Sequence, residues 1–112
     1  MMLMILLKNI KKNRIKNVIF SSSCATYGNI QELPIQESQK QDPINPYGFT
    51  KFATERLLDY LAANDEINYG ILRYFNAAGS DSAGEIGESH NPETHIIPNA
   101  LEKAINGQIF KV

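Results

Sequence analysis

The sequence predicts an α/β fold in which helices flank a parallel sheet, and three observations carry that expectation. Two short runs of β-branched and aromatic residues, "KNVIF" at 16–20 and "INYGILRYF" at 67–75, read as strands. A helical stretch lies between them and others flank them, and strands that alternate with helices imply a parallel sheet. Each strand also runs straight into a loop of small and polar residues, "SSSCATYG" and "NAAG".

In chain order, residues 1–14 suit a helix. Straight-chain apolar residues lead it, and Lys8, Lys11, Lys12 and Arg14 gather at the end where the helix dipole favours cations. The first strand, 16–20, has no polar alternation and reads as buried on both faces, as strands of parallel sheets are. Residues 21–46 form a long connection rich in Ser, Gln, Asn and Pro. Connections of that length in small domains are usually functional or mobile. Pro46 then opens a helix over 47–63, with Phe52, Leu57, Leu58 and Leu61 on or near one side. The second strand, 67–75, leads into a glycine-rich acidic loop at 79–93. A last helix spans about 95–106, stopped by Asn106-Gly107, and "QIFKV" at 108–112 reads as the start of a further strand.

The chain has 112 residues, 43% hydrophobic and 21% charged, which suits one small folded domain rather than disorder. Eleven basic against twelve acidic residues give a formal charge of −1, so nothing points to nucleic acid. The apolar run "MMLMILL" is too short to span a bilayer. Its basic residues follow it instead of preceding it, unlike a secretory signal, which favours a helix docked on a sheet over one lying on a membrane surface. The single cysteine, Cys24, excludes an internal disulfide and fits a reducing, cytoplasmic compartment; we expect it to be buried and inert.

Tyr47 and Lys51 stand at i and i+4, on one face of the predicted helix and about 6 Å apart along its axis. A neighbouring ammonium favours the phenolate, so the spacing offers a phenol suited to reversible proton transfer. The plainer reading is two solvated side chains, since both residue types are common on helices. Ser21, Ser22 and Ser23 end a strand, and open α/β sheets bind ligands beyond the carboxyl ends of their strands; turn-forming serines are the plainer reading. Asn76 could offer an amide to a polar ligand or satisfy its own turn. His90 and His95 flank Glu93, but no helical H-E-x-x-H or cysteine accompanies them, so no metal is expected. "GSDSAGEIG" lacks the lysine of a phosphate-binding P-loop.

Taken together, "SSSCATYG", "PYGFTK", "LRYFNAAG" and "HIIP" resemble the UDP-glucose 4-epimerase family of extended short-chain dehydrogenases/reductases, along essentially the whole chain. The resemblance implies a partial Rossmann-like parallel sheet and NAD as cofactor. It makes Tyr47 the base that takes the proton from the sugar 4-hydroxyl while NAD takes the C4 hydride. Lys51 would tune Tyr47 and hold the nicotinamide ribose, and Ser23 would hydrogen-bond the 4-oxygen, with Ser22 supporting the strand end; Ser23 and Tyr47 would also contact the cofactor. Tyr74 and Phe75 would lie at the nicotinamide; Asn76, His95 and Ile96 would contact the UDP-sugar, UDP-glucose or UDP-galactose. A helix start near His95 would suit the diphosphate. The intact enzyme would be a homodimer.

The family's glycine-rich cofactor fingerprint is missing. The seven glycines, at 28, 48, 70, 79, 84, 87 and 107, contain no G-x-G-x-x-G. We therefore expect one partial domain, the catalytic middle of such an enzyme, with residues from about 77 onward leading into its substrate-binding part. Alone, it should bind NAD poorly and not turn over UDP-sugars. Two alternatives stand: a non-catalytic remnant, or part of another NAD-dependent sugar-nucleotide epimerase or dehydratase. Dehydratases of this kind generally carry acidic residues where this chain has "SSSCAT", which favours the epimerase.

Overall fold

Residues 2–30, 32–64 and 66–111 are described by a computed structural model, and the chain falls into two units, Met1–Phe75 and Asn76–Val112. The first holds helix α1 (Met2–Lys12), strand β1 (Asn17–Ser23), a single 3₁₀ turn at Cys24–Thr26, helix α2 (Pro46–Ala63) and strand β2 (Asn68–Tyr74). The second holds helix α3 (Ile96–Ile105).

Helix α1 ends two residues earlier than its composition suggests. Arg14 takes a left-handed φ of 54°, and its N–H and that of Ile15 bond back to the carbonyls of Lys11 (3.2 Å) and Ile10 (3.0 Å). That pairing is a Schellman ending made without glycine. The same ending closes α3 with the expected glycine: Gly107 at φ 64° bonds Ala104, and Gln108 bonds Lys103. The start of α2 follows the sequence closely. Pro46 occupies the first turn, and Asn45 caps it by accepting the Gly48 N–H at 2.8 Å.

β1 and β2 pair in parallel, from Asn17 opposite Asn68 to Ser23 opposite Tyr74. Two expectations about β1 need correction. The strand does not break at Phe20; it runs through all three serines, because β2 supplies ladder partners as far as Tyr74. Nor is it buried on both faces: Phe20 and Val18 pack on the core, whereas Ile19 is 71% exposed on the other side. Only one face of this two-stranded sheet is covered within the unit.

The core lies under that covered face. Ile10 of α1, Leu58 of α2 and Ile67 before β2 are buried together, with Leu7, Val18, Phe20, Leu61 and Ala62 packed around them. Met4, Ile5 and Leu6 remain exposed, so α1 docks through its second half. Residues 108–111 form no strand, in contrast to the sequence expectation, and Ile109 is 81% exposed. A strand needs a ladder partner, and none pairs with this segment among the described residues; Val112 lies outside them.

The start of α2 is seated directly on the 3₁₀ turn. A Cβ at Gly48 would fall 2.3 Å from the Ala25 carbonyl oxygen, an approach that only glycine permits. Gly48→Ala is expected to cost about 1–3 kcal/mol by overpacking, read from urea titration of the chain. A change below about 0.5 kcal/mol would mean that this contact is not made.

Candidate active site

The geometry gathers around the carboxyl end of β1. Tyr47 sits in the first turn of α2 and is 56% exposed. One turn on, Lys51 donates from Nζ to the Ser21 carbonyl at 2.8 Å. The same ammonium lies 5.1 Å from the Phe20 ring centroid and 5.7 Å from that of Tyr47. The pair read from the i, i+4 spacing thus shares one face and is anchored to the serine strand.

Ser23 is the last residue of β1 and caps the 3₁₀ turn. Its Oγ accepts the Ala25 N–H at 3.2 Å, and its carbonyl accepts the Thr26 hydroxyl at 3.0 Å. Both bonds leave the Ser23 O–H proton available as a donor. Tyr74 lies opposite Ser23 in the register, and Phe75 follows it; both rings are exposed. Cys24, expected to be buried, is only partly so at the start of the 3₁₀ turn.

A buried polar cluster lies one turn further along α2, and the sequence reading missed it. Glu55 is fully buried and accepts from Ser22 Oγ, from Gln41 Nε2 (2.6 Å) and from Arg73 Nε and Nη2 (3.1 and 2.8 Å). Burial pushes the Glu55 carboxyl up, but the donors from Arg73, Ser22 and Gln41 outweigh it and hold the group below its usual range. Arg73 also donates from Nη1 to the Tyr27 hydroxyl (2.7 Å) and the Glu37 carbonyl (3.1 Å). The available signal was a glutamate on the inward stripe Lys51–Glu55–Leu58, which needs a cation, and an arginine near the end of an otherwise uncharged strand.

The second unit contains Asn76, His95 and Ile96. Asn76 is exposed at its start, and His95 is the residue that caps α3, with Ile96 the first helical residue. The Glu93 carboxylate accepts the N–H groups of Thr94 and His95, each at 2.8 Å, and the His95 ring at 2.8 Å. The His95 N–H, foremost among these, pulls the Glu93 carboxyl down to about 2. An anion of the chain itself therefore sits just before α3. A visiting diphosphate would be left with the first-turn donors of Ile96 and Ile97, since Pro98 has none. The fold also clusters Glu88, His90 and His95, whose ligand atoms lie within 4.8 Å of one another; the sequence spacing had singled out the two histidines around Glu93 but not Glu88. All three are exposed, and the rings already face Glu88 and Glu93.

Comparison with known proteins gives this arrangement a family. The profile of the NAD dependent epimerase/dehydratase family matches residues 1–112. The chain belongs to that family.

Among its relatives, the UDP-glucose 4-epimerase of Lactobacillus helveticus is 50% identical over 102 residues, 91% of this chain and 31% of that protein. The crystal structure of UDP-glucose 4-epimerase from Brucella ovis in complex with NAD is 50% identical, with a TM-score of 0.77 over 94% of this chain and 32% of that one. A UDP-N-acetylglucosamine 4-epimerase from Methanobrevibacter ruminantium, in complex with UDP-N-acetylmuramic acid, is 33% identical, with a TM-score of 0.77 over 95% of this chain. The chain thus spans about a third of these relatives, and its fold is the parallel α/β architecture they share.

The exposed rings of Tyr47, Tyr74 and Phe75 and the Lys51 ammonium suit the ribose and nicotinamide end of a dinucleotide. The 112 residues contain no glycine-rich turn of the G-x-G-x-x-G kind for its phosphates. No helix among the described residues is long and apolar enough to cross a membrane.

Proposed function

We propose that this chain supplies the proton-transferring part of a UDP-glucose 4-epimerase, which interconverts UDP-galactose and UDP-glucose in the cytoplasm as a homodimer. The observation that carries this reading is the Tyr47–Lys51 pair, set by α2 against the serine end of β1. Bound NAD would supply the chemistry the side chains lack, accepting the sugar C4 hydride and, once the 4-keto sugar has rotated, returning it to the opposite face with inverted configuration. Tyr47 accepts the proton of the 4-hydroxyl at its phenolic oxygen and gives it back. Ser23 donates its free O–H to the sugar 4-oxygen and holds it near Tyr47. Lys51 supplies the positive charge that stabilises the deprotonated phenol and binds ribose hydroxyls. Tyr74 and Phe75 cover the nicotinamide, while Asn76, His95 and Ile96 hold the UDP part.

The test is a chimera in which residues 1–112 replace the matching third of the Lactobacillus helveticus enzyme. Conversion of UDP-galactose to UDP-glucose, followed through a UDP-glucose dehydrogenase couple, is the expected result. The 112-residue chain alone is expected to give no turnover. A folded, NAD-loaded chimera without epimerase activity would overturn the proposal.

A further inference from the structure

A fully buried carboxylate of the first unit has no part in the steps above. Glu55 is 0% exposed, and through it four pieces of the unit meet. Ser22 reaches it from β1, Arg73 from β2 and Gln41 from the loop, while α2 carries it. Ser22 and Arg73 stand directly opposite in the strand register, so the carboxylate closes a bridge over one rung of the sheet. No buried side-chain nitrogen or oxygen among the described residues lacks a partner.

The bridge lies on the same stripe of α2 as the candidate pair. Lys51 grips the Ser21 carbonyl, and one turn on Glu55 grips the Ser22 hydroxyl. Two consecutive residues of β1 are thus fixed to two consecutive turns of α2. Tyr47 extends from the turn before them and Ser23 from the residue after. An apolar residue at 55 would fill space without fixing direction, whereas charged hydrogen bonds define both distance and angle.

We propose that Glu55 and Arg73 are positioning residues: the Ser22–Glu55–Arg73 bridge sets where Tyr47 and Lys51 stand relative to Ser23. The catalytic consequence rests on the function proposed above; the geometric one does not.

The first experiment therefore needs no activity. The 112-residue chain and its Glu55→Gln and Arg73→Lys variants are treated briefly with an acetylating reagent, and each lysine is quantified by peptide mass spectrometry. Lys16, whose ammonium donates to the Glu66 carbonyl at 3.2 Å near the other end of β1, is the internal reference. Lys51 should be protected in the parent chain. In both variants its acetylation should rise about tenfold relative to Lys16 as the β1 end loosens locally. Unchanged Lys51, a joint rise of Lys51 and Lys16, or a parent Lys51 as reactive as exposed Lys8 would each overturn the proposal.

In the chimera, Arg73→Lys should then lower kcat about a hundredfold, the scale of a small misplacement of catalytic groups, with KM nearly unchanged. A rise in KM with kcat intact would overturn the positioning role. If the parent chimera is inactive, the proposed function falls while the labelling result still decides this one.

Discussion

Tyr47→Phe in the chimera is expected to lower kcat for UDP-galactose by about 10²–10⁴-fold, the range set by removing a positioned general acid–base. The substitution takes away one oxygen and leaves the ring, and that ring lies largely in solvent, so no packing is lost. The Lys51 ammonium stays on the Ser21 carbonyl, and Asn45 still caps the helix through Gly48, so the fold of the site should not change. KM for the UDP-sugar and the amount of bound NAD should therefore hold while turnover falls. Activity within about tenfold of the parent would remove Tyr47 from proton transfer and with it the central claim of the function proposed. The opposite pattern, lost affinity with kcat intact, would make Tyr47 a binding residue only.

Local chemistry in the sequence was enough to place the helices that carry most of the candidate residues. Asn45-Pro46 announced the start of α2, and with it the face on which Tyr47 and Lys51 project. Asn106-Gly107 announced the end of α3. Where the outcome depended on partners distant in the chain, the sequence was less informative. β1 extends through Ser21, Ser22 and Ser23 because β2 reaches Tyr74, which no property of the serines reveals. "QIFKV" has strand composition, but its residues 108–111 find no ladder partner among the described residues. Arg14 ends α1 in a conformation that its side chain does not advertise. The Glu55–Arg73 bridge spans eighteen positions and exists only because α2 packs over the rung where Arg73 faces Ser22. Its two halves were visible as anomalies, a charge on each of two apolar faces, but their pairing belongs to the tertiary fold.

Arg73→Met should be the most damaging single change to the stability of the first unit. It leaves the Glu55 carboxylate fully buried with Ser22 and Gln41 as hydrogen-bond donors and the half-exposed Arg56 guanidinium 3.9 Å away, and breaking a buried pair from one side costs about 3–5 kcal/mol. The pH dependence distinguishes this cause from lost packing. In the parent chain Glu55 is held below its usual value, so its contribution is present above the unfolded pKa and fades as pH falls through the folded one. Without the Arg73 guanidinium, burial loses its strongest opponent and the folded carboxyl rises. The variant then gains relative stability as the carboxyl takes up a proton. Urea titrations should show the gap between parent and variant widest near about pH 7 and narrowing towards pH 4.5, the ordinary value for a glutamate. Glu55→Leu combined with Arg73→Met should be less destabilised than Arg73→Met alone, because no charge is left buried. A gap that stays constant with pH would mean that Arg73 contributes its bulk and its bonds to Tyr27 and Glu37, and that the carboxylate of Glu55 is not the group it neutralises.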